Sequence, residues 1–464
     1  MFRLLPPSEM IDTAITLPLS KSESARTLIM DALGGHPLTD AVAECDDTSA
    51  LRAALTSADT DLNIGASGTA MRYLVAYFAA TPGRSVRLDG SERMRQRPLA
   101  PLVDALRALG ADIEYAGEQG HAPVLINGRR LQGGTVTVDA TVSSQFISAL
   151  MMIAPTMAGG LTVKFDGIPV STAYLRMTAL MMEARGIDVD ITPDGVVVKA
   201  GAYTPAPADA VSGDWTAASY WYTVSALSSG WIALPGLALP SAQGDSVMTE
   251  IGERLGVVTG TADPDDYPDL ADGTLQLMPS PEVFSRLDID ATDCPDLVQT
   301  LVVAAIMLGM PFHIAGVSTL HDKETDRVQA LINECLKFGC MLEEERGALV
   351  WDGRRMPITA LPVVDTYDDH RMAMAFAPAA IFIPGLTVRD PGVVTKSYPR
   401  FWDDLAKAGF VIQDIPDDAD PATYGMESGS GSESGEGIES GEGIESEEGI
   451  ESGEGIESGE GSEA

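Results

Sequence analysis

The stretch ALRALGADI at residues 105–113 contains the pattern on which our interpretation of the fold depends. Its first half is helix-like, its glycine stands where the helix should end, and its last residues are β-like. Glycine is favoured just past a helix end because that position takes a left-handed backbone conformation. The junction recurs, at intervals of 70 to 83 residues, at Gly186, Gly256, Gly339 and Gly409, and in a weaker form at Gly35. The even spacing predicts six similar α/β units; unrelated helix–strand connections in an α/β protein are the alternative.

The composition excludes some classes of function. The chain has 464 residues and a formal net charge of −38 at pH 7, with 30 Lys and Arg against 68 Asp and Glu. Binding of nucleic acid requires Lys and Arg to neutralise phosphates, so we expect no nucleic-acid partner. No stretch approaches the ~18 uninterrupted apolar residues of a membrane span, so we expect no membrane partner either. At ~150 residues per domain, the length predicts two or three domains.

The N-terminus and the cysteines indicate a cytoplasmic protein. Residues 1–7, MFRLLPP, contain no apolar stretch of the kind found in a secretory signal. The four cysteines, Cys45, Cys294, Cys335 and Cys340, lack the spacing of a zinc site. We expect buried thiols in a reducing compartment, with Cys335 and Cys340 on one helix-like segment.

The last segment of the chain differs from the rest. From Glu427 onward it contains thirteen Glu and no Lys or Arg, and from Ile438 it repeats IESGEG with a period of six. An apolar residue every six positions is also a feature of left-handed β-helices, but four short acidic copies could not bury a core. We therefore expect a disordered acidic repeat tail over residues 427–464.

Polar motifs fall where helices are expected to begin. Ser20 and Glu23 have the spacing of a capping box, which predicts a helix start. Lys21 and Ser22, with Arg26 one turn further on, would offer an anion hydroxyl, cationic and backbone donors together. A capped helix with solvated Lys and Arg is the alternative.

Two further motifs combine glycines or arginines with a helix start. Residues 65–72, GASGTAMR, place two glycines before a helix, where the backbone can approach an anion, although the pattern is not a Walker loop. Residues 93–98, RMRQRP, hold three arginines at alternating positions, which we expect on one side of an extended segment. Pro98 suits the first turn of the following helix. A tight turn and solvated surface arginines are the alternatives.

Three later motifs set cations among acids or on a loop. In KETDR at residues 323–327 and DDHR at residues 368–371, a helical arrangement predicts surface salt bridges. TKSYP at residues 395–399 places a lysine on a loop flanked by Pro and Gly, with a flexible surface loop as the alternative. Ser143 precedes another apolar helix-like run, and Ser171 can cap the helix after that.

Taken in order along the chain, these motifs resemble those of the 5-enolpyruvylshikimate-3-phosphate synthase family. The resemblance extends from Lys21 to Trp402 and rests on eight motifs in one register. They are PLSKS at residues 18–22 with Arg26, SGTAMR at 67–72, RMRQRP at 93–98, VSSQF at 142–146, Pro295-Asp296, KETDR at 323–327, DHRMAM at 369–374 and KSYP at 396–399.

The resemblance implies an α/β fold of two domains, each built from three βαβαββ-type repeat units, which agrees with the six glycine junctions. One domain would comprise residues 1–19 and 213–426, and the other residues 20–212. The chain would leave the first domain near Ser20 and return to it near Gly213. The active site would lie in the cleft between the domains, which would close on the substrate.

The resemblance also implies roles for individual residues. Shikimate-3-phosphate would be held by Lys21, Ser22, Arg26, Ser143, Ser144, Gln145, Ser171, Tyr174, Asp296 and Lys323. Phosphoenolpyruvate would be held by Lys21, Gly68, Arg97, Gln145, Arg327, Arg371 and Lys396. The catalytic residues would be Asp296, Glu324, Lys396 and Lys21, with the division into acid and base left open.

The implied reaction moves the enolpyruvyl group of phosphoenolpyruvate to the 5-hydroxyl of shikimate-3-phosphate and releases phosphate, in the shikimate pathway to chorismate and the aromatic amino acids. Only small anionic substrates are implied as partners, with no metal and no organic cofactor, and we expect a monomer. The alternatives are a UDP-N-acetylglucosamine enolpyruvyl transferase and a non-catalytic binding protein of the same fold. The first of these families often carries a cysteine near the region of residues 93–98, where this chain has none.

Four positions depart from the family pattern. Leu19 stands in place of a glycine, and Ala66 and Thr319 each stand in place of an asparagine. Cys294 before Pro295 is a local novelty. The two lost side-chain amides bear on substrate affinity and inhibitor response, whereas the charged set is intact.

Overall fold

A computed structural model describes residues 1–282 and 284–419 of the chain. The predicted acidic tail, residues 427–464, lies outside the described residues. Within them the helices are α1 Lys21–Gly34, α2 Asp46–Thr56, α3 Gly68–Ala79, α4 Glu92–Gln96, α5 Ala100–Ala108, α6 Ser144–Ile153, α7 Thr172–Glu183, α8 Trp215–Ser228, α9 Met248–Arg254, α10 Val298–Leu308, α11 Arg327–Lys337, α12 His370–Phe376 and α13 Phe401–Lys407. Short 3-10 helices cover Ala154–Thr156, Gly244–Val247, Pro295–Leu297, Ser318–Asp322, Ala377–Ile381 and Pro391–Lys396.

The strands are short, between two and six residues each. They are β1 Phe2–Leu5, β2 Asp12–Ala14, β3 Asp61–Asn63, β4 Ser85–Asp89, β5 Asp112–Tyr115, β6 Val124–Asn127, β7 Gly134–Asp139, β8 Leu161–Asp166, β9 Val189–Thr192, β10 Gly195–Val198, β11 Trp231–Leu234, β12 Val257–Thr261, β13 Leu275–Pro279, β14 Leu287–Asp290, β15 Phe312–Ala315, β16 Glu343–Glu345, β17 Ala348–Trp351, β18 Val363–Val364, β19 Thr387–Val388 and β20 Val411–Asp414.

These strands form five four-stranded sheets that share one pattern of pairing. The orders are β3-β4-β6-β5, β7-β8-β10-β9, β2-β11-β13-β12, β14-β15-β17-β16 and β18-β19-β1-β20. In each sheet the first two strands are parallel and the remaining pairs are antiparallel. Parallel neighbours need a helical crossover, whereas antiparallel ones need only a hairpin, so each sheet is one βαβαββ unit. In two of the sheets a strand from the N-terminus, β1 or β2, completes the set.

The predicted helix–glycine–strand junctions are confirmed. Gly110, Gly186, Gly256, Gly339 and Gly409 each follow a helix and have φ values between +74° and +95°. Each leads into the outermost antiparallel strand of its sheet, namely β5, β9, β12, β16 and β20. A side chain at such a φ would strain the backbone, which accounts for the recurrence of glycine.

The weaker junction at Gly35 has a different outcome. Gly35 ends α1 with a φ of +69°, but the described chain then forms irregular structure up to α2, and no strand follows before β3. The side chain of Asp31 holds this segment, because it accepts hydrogen bonds from the backbone N–H and the hydroxyl of Thr39 at 2.9 and 2.8 Å. This first unit is therefore built on helices without a four-stranded sheet of its own.

The buried apolar side chains fall into two cores. One core is drawn from residues 4–17 and 215–410, and the other from residues 25–203. The chain crosses between them twice, side by side: Leu19 and Gly213 form an isolated antiparallel bridge. Beside it the N–H of Ser20 donates to the carbonyl of Ser212 at 2.7 Å.

Three local predictions required correction. Residues 92–96 form α4 and are not extended, so the three arginines of residues 93–98 point in different directions. The helix after Pro98 begins only at Ala100, with Pro101 in its first turn. Ser20 does cap α1 by accepting from the N–H of Glu23 at 3.3 Å, but the Glu23 carboxylate bonds to Ser212 instead of completing a capping box. The three causes differ: Ser91 caps a short helix at residues 92–96, α5 starts two residues later than expected, and Ser212 takes the Glu23 carboxylate.

The described residues contain no helix long and apolar enough to cross a membrane. All four cysteines are free and buried, as expected. Cys335 lies within α11, whereas Cys340 lies just beyond its end.

A buried ion pair connects α1 to the end of α7. Arg185 donates to Asp31 at 2.8 Å, and the two side chains are 3% and 1% exposed. Removing one partner of a buried pair leaves an uncompensated charge, which costs ~3–5 kcal/mol. We therefore expect Asp31→Ala to lower the free energy of unfolding by about 3 kcal/mol in urea titrations.

The matched control is Asp188→Ala, which removes an ion pair with Lys199 at the surface. Both of these side chains are more than 60% exposed, so the change should stay within ~1 kcal/mol. Equal losses in the two variants would contradict the importance of the buried pair.

Candidate active site

The predicted site residues come together in one cavity between the two cores. Fifteen of the sixteen line it: Lys21, Ser22, Arg26, Gly68, Arg97, Ser143, Ser144, Gln145, Ser171, Tyr174, Asp296, Lys323, Glu324, Arg327 and Arg371. The sixteenth, Lys396, reaches the cavity wall through Glu324, with its ammonium 3.1 Å from that carboxylate.

Helix N-termini surround the cavity. Its lining includes first-turn residues of α1, α3, α6, α11 and α12. Ser20, Ser67 and Ser143 cap the first three of these helices through their hydroxyls. The unpaired N–H groups and the dipole of a helix N-terminus both favour an anion. The predicted clustering of polar motifs at helix starts therefore translates into a cavity suited to negatively charged ligands.

Arg327 lies at the centre of the acidic part of the site. Its side chain is 1% exposed and pairs with Asp369 at 2.7 Å, Glu324 at 2.9 Å and Asp296 at 3.1 Å. Burial opposes its charge, but the carboxylates of Asp369 and Glu324 outweigh burial and raise the pKa of Arg327 above its usual value. The expectation that Lys323 and Arg327 lie on one helix face and make surface salt bridges with acids is thus wrong. The helix α11 starts only at Arg327, and the ion pairs of this arginine are internal.

Asp296 is held ionised by its neighbours. Its carboxylate accepts from the Tyr174 hydroxyl at 2.8 Å and pairs with Arg371 at 3.0 Å. Burial alone would raise the pKa of Asp296, but Arg371, Lys323 and Arg327 lower it well below the usual range. Asp296 is therefore in its ionised form, which is the form that can accept a proton.

Glu324 and Lys396 form a second acid–base pair. Besides the ion pair, the Lys396 ammonium donates to the backbone carbonyl of Ala66 at 3.1 Å. Burial favours a neutral Glu324, but Lys396 and Arg327 lower the pKa of its carboxyl well below the usual value. Lys396 is 8% exposed, so the alternative of a flexible surface loop at residues 395–399 is excluded.

Lys21 is paired with a residue that the sequence did not single out. Its ammonium lies 3.2 Å from the carboxylate of Asp47, the second residue of α2. Burial disfavours the charged lysine, but Asp47 raises the pKa of Lys21 above its usual value. The signal available was two consecutive acids at a predicted helix start, which is too common to be informative.

The opposite wall carries positive charge without matching carboxylates. A Cβ at Gly68 would lie 2.5 Å from the guanidinium of Arg97 and 2.7 Å from that of Arg72, so a larger residue would displace these two guanidinium groups. Burial, and after it the charge of Arg97, lowers the pKa of Arg72. Lys323 makes no ion pair within residues 1–282 and 284–419, and burial lowers its pKa. Burial disfavours the charged forms of these side chains, so they are suited to bind a multiply charged anion.

Arg26 and Gln145 are already engaged by the protein. Arg26 donates to the Thr178 hydroxyl at 2.7 Å and to the Ser22 carbonyl at 3.0 Å. Gln145 donates to the Thr69 hydroxyl at 3.2 Å. These two side chains shape the cavity wall in addition to the contacts expected of them.

Arg93 and Arg95 do not line the cavity. Arg93 donates to the backbone carbonyls of His321 and Lys323 at 3.3 and 3.0 Å, and to that of Glu324 at 3.2 Å. Arg95 pairs with Asp89. Of the three arginines in residues 93–98, only Arg97 faces the cavity, because α4 turns the other two away.

The carboxylate of Glu334, outside the cavity, binds the loop that leads to Arg371. It lies seven residues after Arg327 on α11, hence on the same face. It is fully buried and accepts from the Tyr367 hydroxyl at 2.8 Å and from the Asp365 N–H at 3.1 Å. The loop before α12 is thereby attached to α11 at two points, through Glu334 and through Asp369.

The positions that depart from the family pattern have different surroundings. Thr319 lines the cavity. At Ala66 it is the backbone carbonyl that contacts Lys396, and Leu19 lies in the bridge to Gly213. Cys294 is buried in the core of residues 4–17 and 215–410 and is not part of the cavity lining.

Asp245 is a buried acid near the cavity that sequence reasoning missed. Its side chain accepts from Thr216, while its Oδ1 has no hydrogen-bond partner within the described residues. Burial, followed by the negative charge of Asp296, raises the pKa of Asp245 to about 7. A carboxyl that titrates near neutral pH therefore lies close to Asp296, outside the cavity lining.

Repeated βαβαββ units around a cationic cavity with buried acid–base pairs define a transferase of the two-domain enolpyruvyl transferase fold. The family described as EPSP synthase (3-phosphoshikimate 1-carboxyvinyltransferase) matches residues 13–405 of the chain. The chain belongs to the EPSP synthase family.

Individual relatives agree with this assignment. A 3-phosphoshikimate 1-carboxyvinyltransferase of Bacteroides fragilis is 44% identical over 414 residues, which cover 88% of this chain and 98% of the relative. One from Vibrio atlanticus is 33% identical over 434 residues, covering 86% and 98%. The solved structure of EPSP synthase from Acinetobacter baumannii matches the fold with a TM-score of 0.67 at 20% identity, covering 89% of this chain and 99% of that one.

The raised pKa of Asp245 predicts a pH-dependent cost to stability. Between pH 4 and 7 the folded protein keeps this proton, whereas in the unfolded chain a carboxyl of pKa 3.8 has released it. The contribution of Asp245 to stability therefore falls as pH rises through this range and is constant above it. Asp245→Asn removes the effect, so its melting temperature relative to wild type should increase from pH 4 to pH 7.

The measurement is a thermal melt of both proteins without ligands at several pH values, with the exposed Asp188→Asn as control. A difference in melting temperature that does not change with pH would contradict the prediction.

Proposed function

We propose that the protein transfers the enolpyruvyl group of phosphoenolpyruvate to the 5-hydroxyl of shikimate-3-phosphate and releases phosphate, as a 3-phosphoshikimate 1-carboxyvinyltransferase of the shikimate pathway. The observation that carries this proposal is the shared cavity: the charged residues expected for the reaction line it, and Lys396 adjoins it through its ion pair with Glu324. Family membership and the names of the relatives support the reaction and the substrates.

The arrangement accounts for the binding of two anions. Phosphoenolpyruvate would lie against Arg97, Arg371 and the Gly68 turn, where positive charge exceeds negative charge. Arginine forks match carboxylate and phosphate oxygens, and a cavity removed from water strengthens these contacts. Shikimate-3-phosphate would lie along the α6 and α7 starts, with Ser143, Ser144 and Lys21 on its phosphate and hydroxyls.

The acid–base pairs account for the chemistry. The 5-oxygen of the shikimate forms a bond to the enol carbon while its proton goes to a carboxylate, and the methylene carbon gains a proton. The bond between the enol carbon and the phosphate oxygen then breaks and phosphate leaves with the bonding electrons, while the methyl group gives a proton back and the carbon–carbon double bond forms again. Asp296 and Glu324 are ionised and can accept protons. The ammonium group of Lys396 lies against Glu324 and can donate one. Proton transfer by such positioned groups contributes ~10²–10⁴-fold to a rate.

We also propose the division into domains of residues 1–19 with 213–426 and residues 20–212. The two apolar cores and the paired crossings at Ser20 and Gly213 support these limits. We further propose a monomer that acts in the cytoplasm on small anionic substrates, with no nucleic-acid or membrane partner.

The proposal predicts that inorganic phosphate appears only when phosphoenolpyruvate and shikimate-3-phosphate are both present. The phosphate leaves only after the shikimate oxygen has added, so either substrate alone should give none. A coupled phosphate assay measures this directly. Phosphate released with UDP-N-acetylglucosamine instead would favour the sister transferase, and ligand-induced stabilisation without any turnover would favour a non-catalytic binding protein.

The site assignment predicts large losses in two variants. Lys21→Ala removes a cation at the junction of both substrates, and Asp296→Ala removes a proton acceptor, so kcat/KM should fall at least ~100-fold in each. The exposed Lys199→Ala should match wild type, and thermal melts should show that all variants fold. Near-normal rates for Lys21→Ala or Asp296→Ala would refute the assignment even if the wild-type enzyme is active.

A further inference from the structure

Helix α7 begins without a cap of its own. Ser171, at the N-cap position, has a left-handed φ of +54° and its side chain makes no capping hydrogen bond. The first turn of a helix has N–H groups with no intrahelical partner, and these require acceptors from elsewhere. The start of α7 lines the cavity through Ser171 and Tyr174, both of which we expect to contact shikimate-3-phosphate.

The missing cap is provided by Asp293, which lies far away in sequence. Its Oδ1 accepts from the backbone N–H of Thr172 at 2.7 Å and from the Thr172 hydroxyl at 2.9 Å. Its Oδ2 accepts from Arg176 at 3.0 Å. Asp293 therefore binds the backbone, a hydroxyl and a guanidinium of the first turn of α7.

The cap connects the two cores. Leu175 of α7 packs in the core of residues 25–203, whereas Ala291 and Cys294, on either side of Asp293, pack in the other core. The acceptor is thus present at α7 only when the two halves of the molecule are in contact.

Two neighbouring contacts run beside the cap. The N–H of Ser171 donates to the carbonyl of Thr292 at 3.1 Å, and the hydroxyl of Tyr174 donates to Asp296 at 2.8 Å. Gly244 permits the close approach, because a Cβ there would lie 2.4 Å from Ala173 and 3.1 Å from the Asp293 carbonyl. The two segments, residues 292–296 and residues 171–176, therefore lie against each other. Their contact extends from the cap at Asp293 to Asp296, the proposed proton acceptor.

We propose that Asp293 is a positioning residue, which caps α7 across the two domains and thereby sets Ser171 and Tyr174 against Asp296 to receive shikimate-3-phosphate. This inference rests on the proposed function and deepens it. Asp293 touches neither the cavity lining nor the reacting atoms, so its effect passes through α7. Its role depends on accepting hydrogen bonds at the helix start, which an asparagine can also do.

The test compares Asp293→Ala with Asp293→Asn and Arg176→Gln. Asp293→Ala removes the cap, so the KM and the calorimetric Kd for shikimate-3-phosphate should rise about fivefold, the ratio for a typical N-cap. Asp293→Asn keeps an acceptor and should stay within about twofold of wild type. Arg176→Gln removes the exposed ion pair with Asp293 and a hydrogen bond to the Thr172 hydroxyl, but it leaves the cap on the Thr172 N–H in place. This variant should also stay within about twofold.

The outcomes separate this inference from the proposed function. If wild type binds shikimate-3-phosphate and Asp293→Ala binds it equally well, or if Asp293→Asn is as weak as Asp293→Ala, the positioning role is refuted. If wild type neither binds shikimate-3-phosphate nor releases phosphate, the proposed function fails. The cap is then judged by amide hydrogen exchange at Thr172, which should be faster in Asp293→Ala than in Asp293→Asn; equal rates overturn it.

Discussion

A buried guanidinium must be neutralised where it lies, and the rest of this site is arranged around that requirement at Arg327. Three carboxylates surround it, from Asp369, Glu324 and Asp296, and each comes from a different segment of the chain. Taking one charge out of water costs several kcal/mol unless its partners are close and well oriented. Arg327 therefore fixes the separation of the two carboxylates to which we assign proton transfer, even before a substrate is present.

The positive wall is the counterpart of this arrangement. Arg72 and Arg97 meet over Gly68 with no carboxylate in ion-pair contact in the part of the chain that the structure describes, and burial lowers the pKa of Arg72. On the acidic side the carboxylates are matched, because Arg327, Arg371 and Lys396 pair with them. On the cationic side, repulsion between Arg72 and Arg97 is a source of electrostatic strain. Two anions relieve the strain on the cationic side, which is a reason for binding energy to be available for bringing the substrates together.

Much of the fold follows from local chemistry, and much of the site does not. The glycines at helix ends are predictable because a left-handed residue is needed there whatever the tertiary structure. The cations could be listed from their motifs, but the pairing of Lys21 with Asp47 and of Arg327 with Asp369 could not, because 68 acidic residues offer no local signal of which cation each will contact. The prediction of an extended segment at residues 93–98 was wrong. The alternating arginines suit an extended chain, but Ser91 caps a short helix there.

The positions of Arg327 and Arg371 also depend on a strained turn at residues 367–368. Tyr367 and Asp368 have φ values of +54° and +55°, a conformation that costs non-glycine residues free energy and persists only where the surroundings impose it. Two contacts to α11 impose this conformation. Glu334 accepts a hydrogen bond from the Tyr367 hydroxyl, and Asp369, which follows the turn, accepts one from Arg327. The turn leads directly into α12, whose N-cap Asp369 and second residue Arg371 belong to the charged centre. The geometry of the charged centre thus depends on a carboxylate, Glu334, that is two helical turns from Arg327 and contacts no part of the cavity.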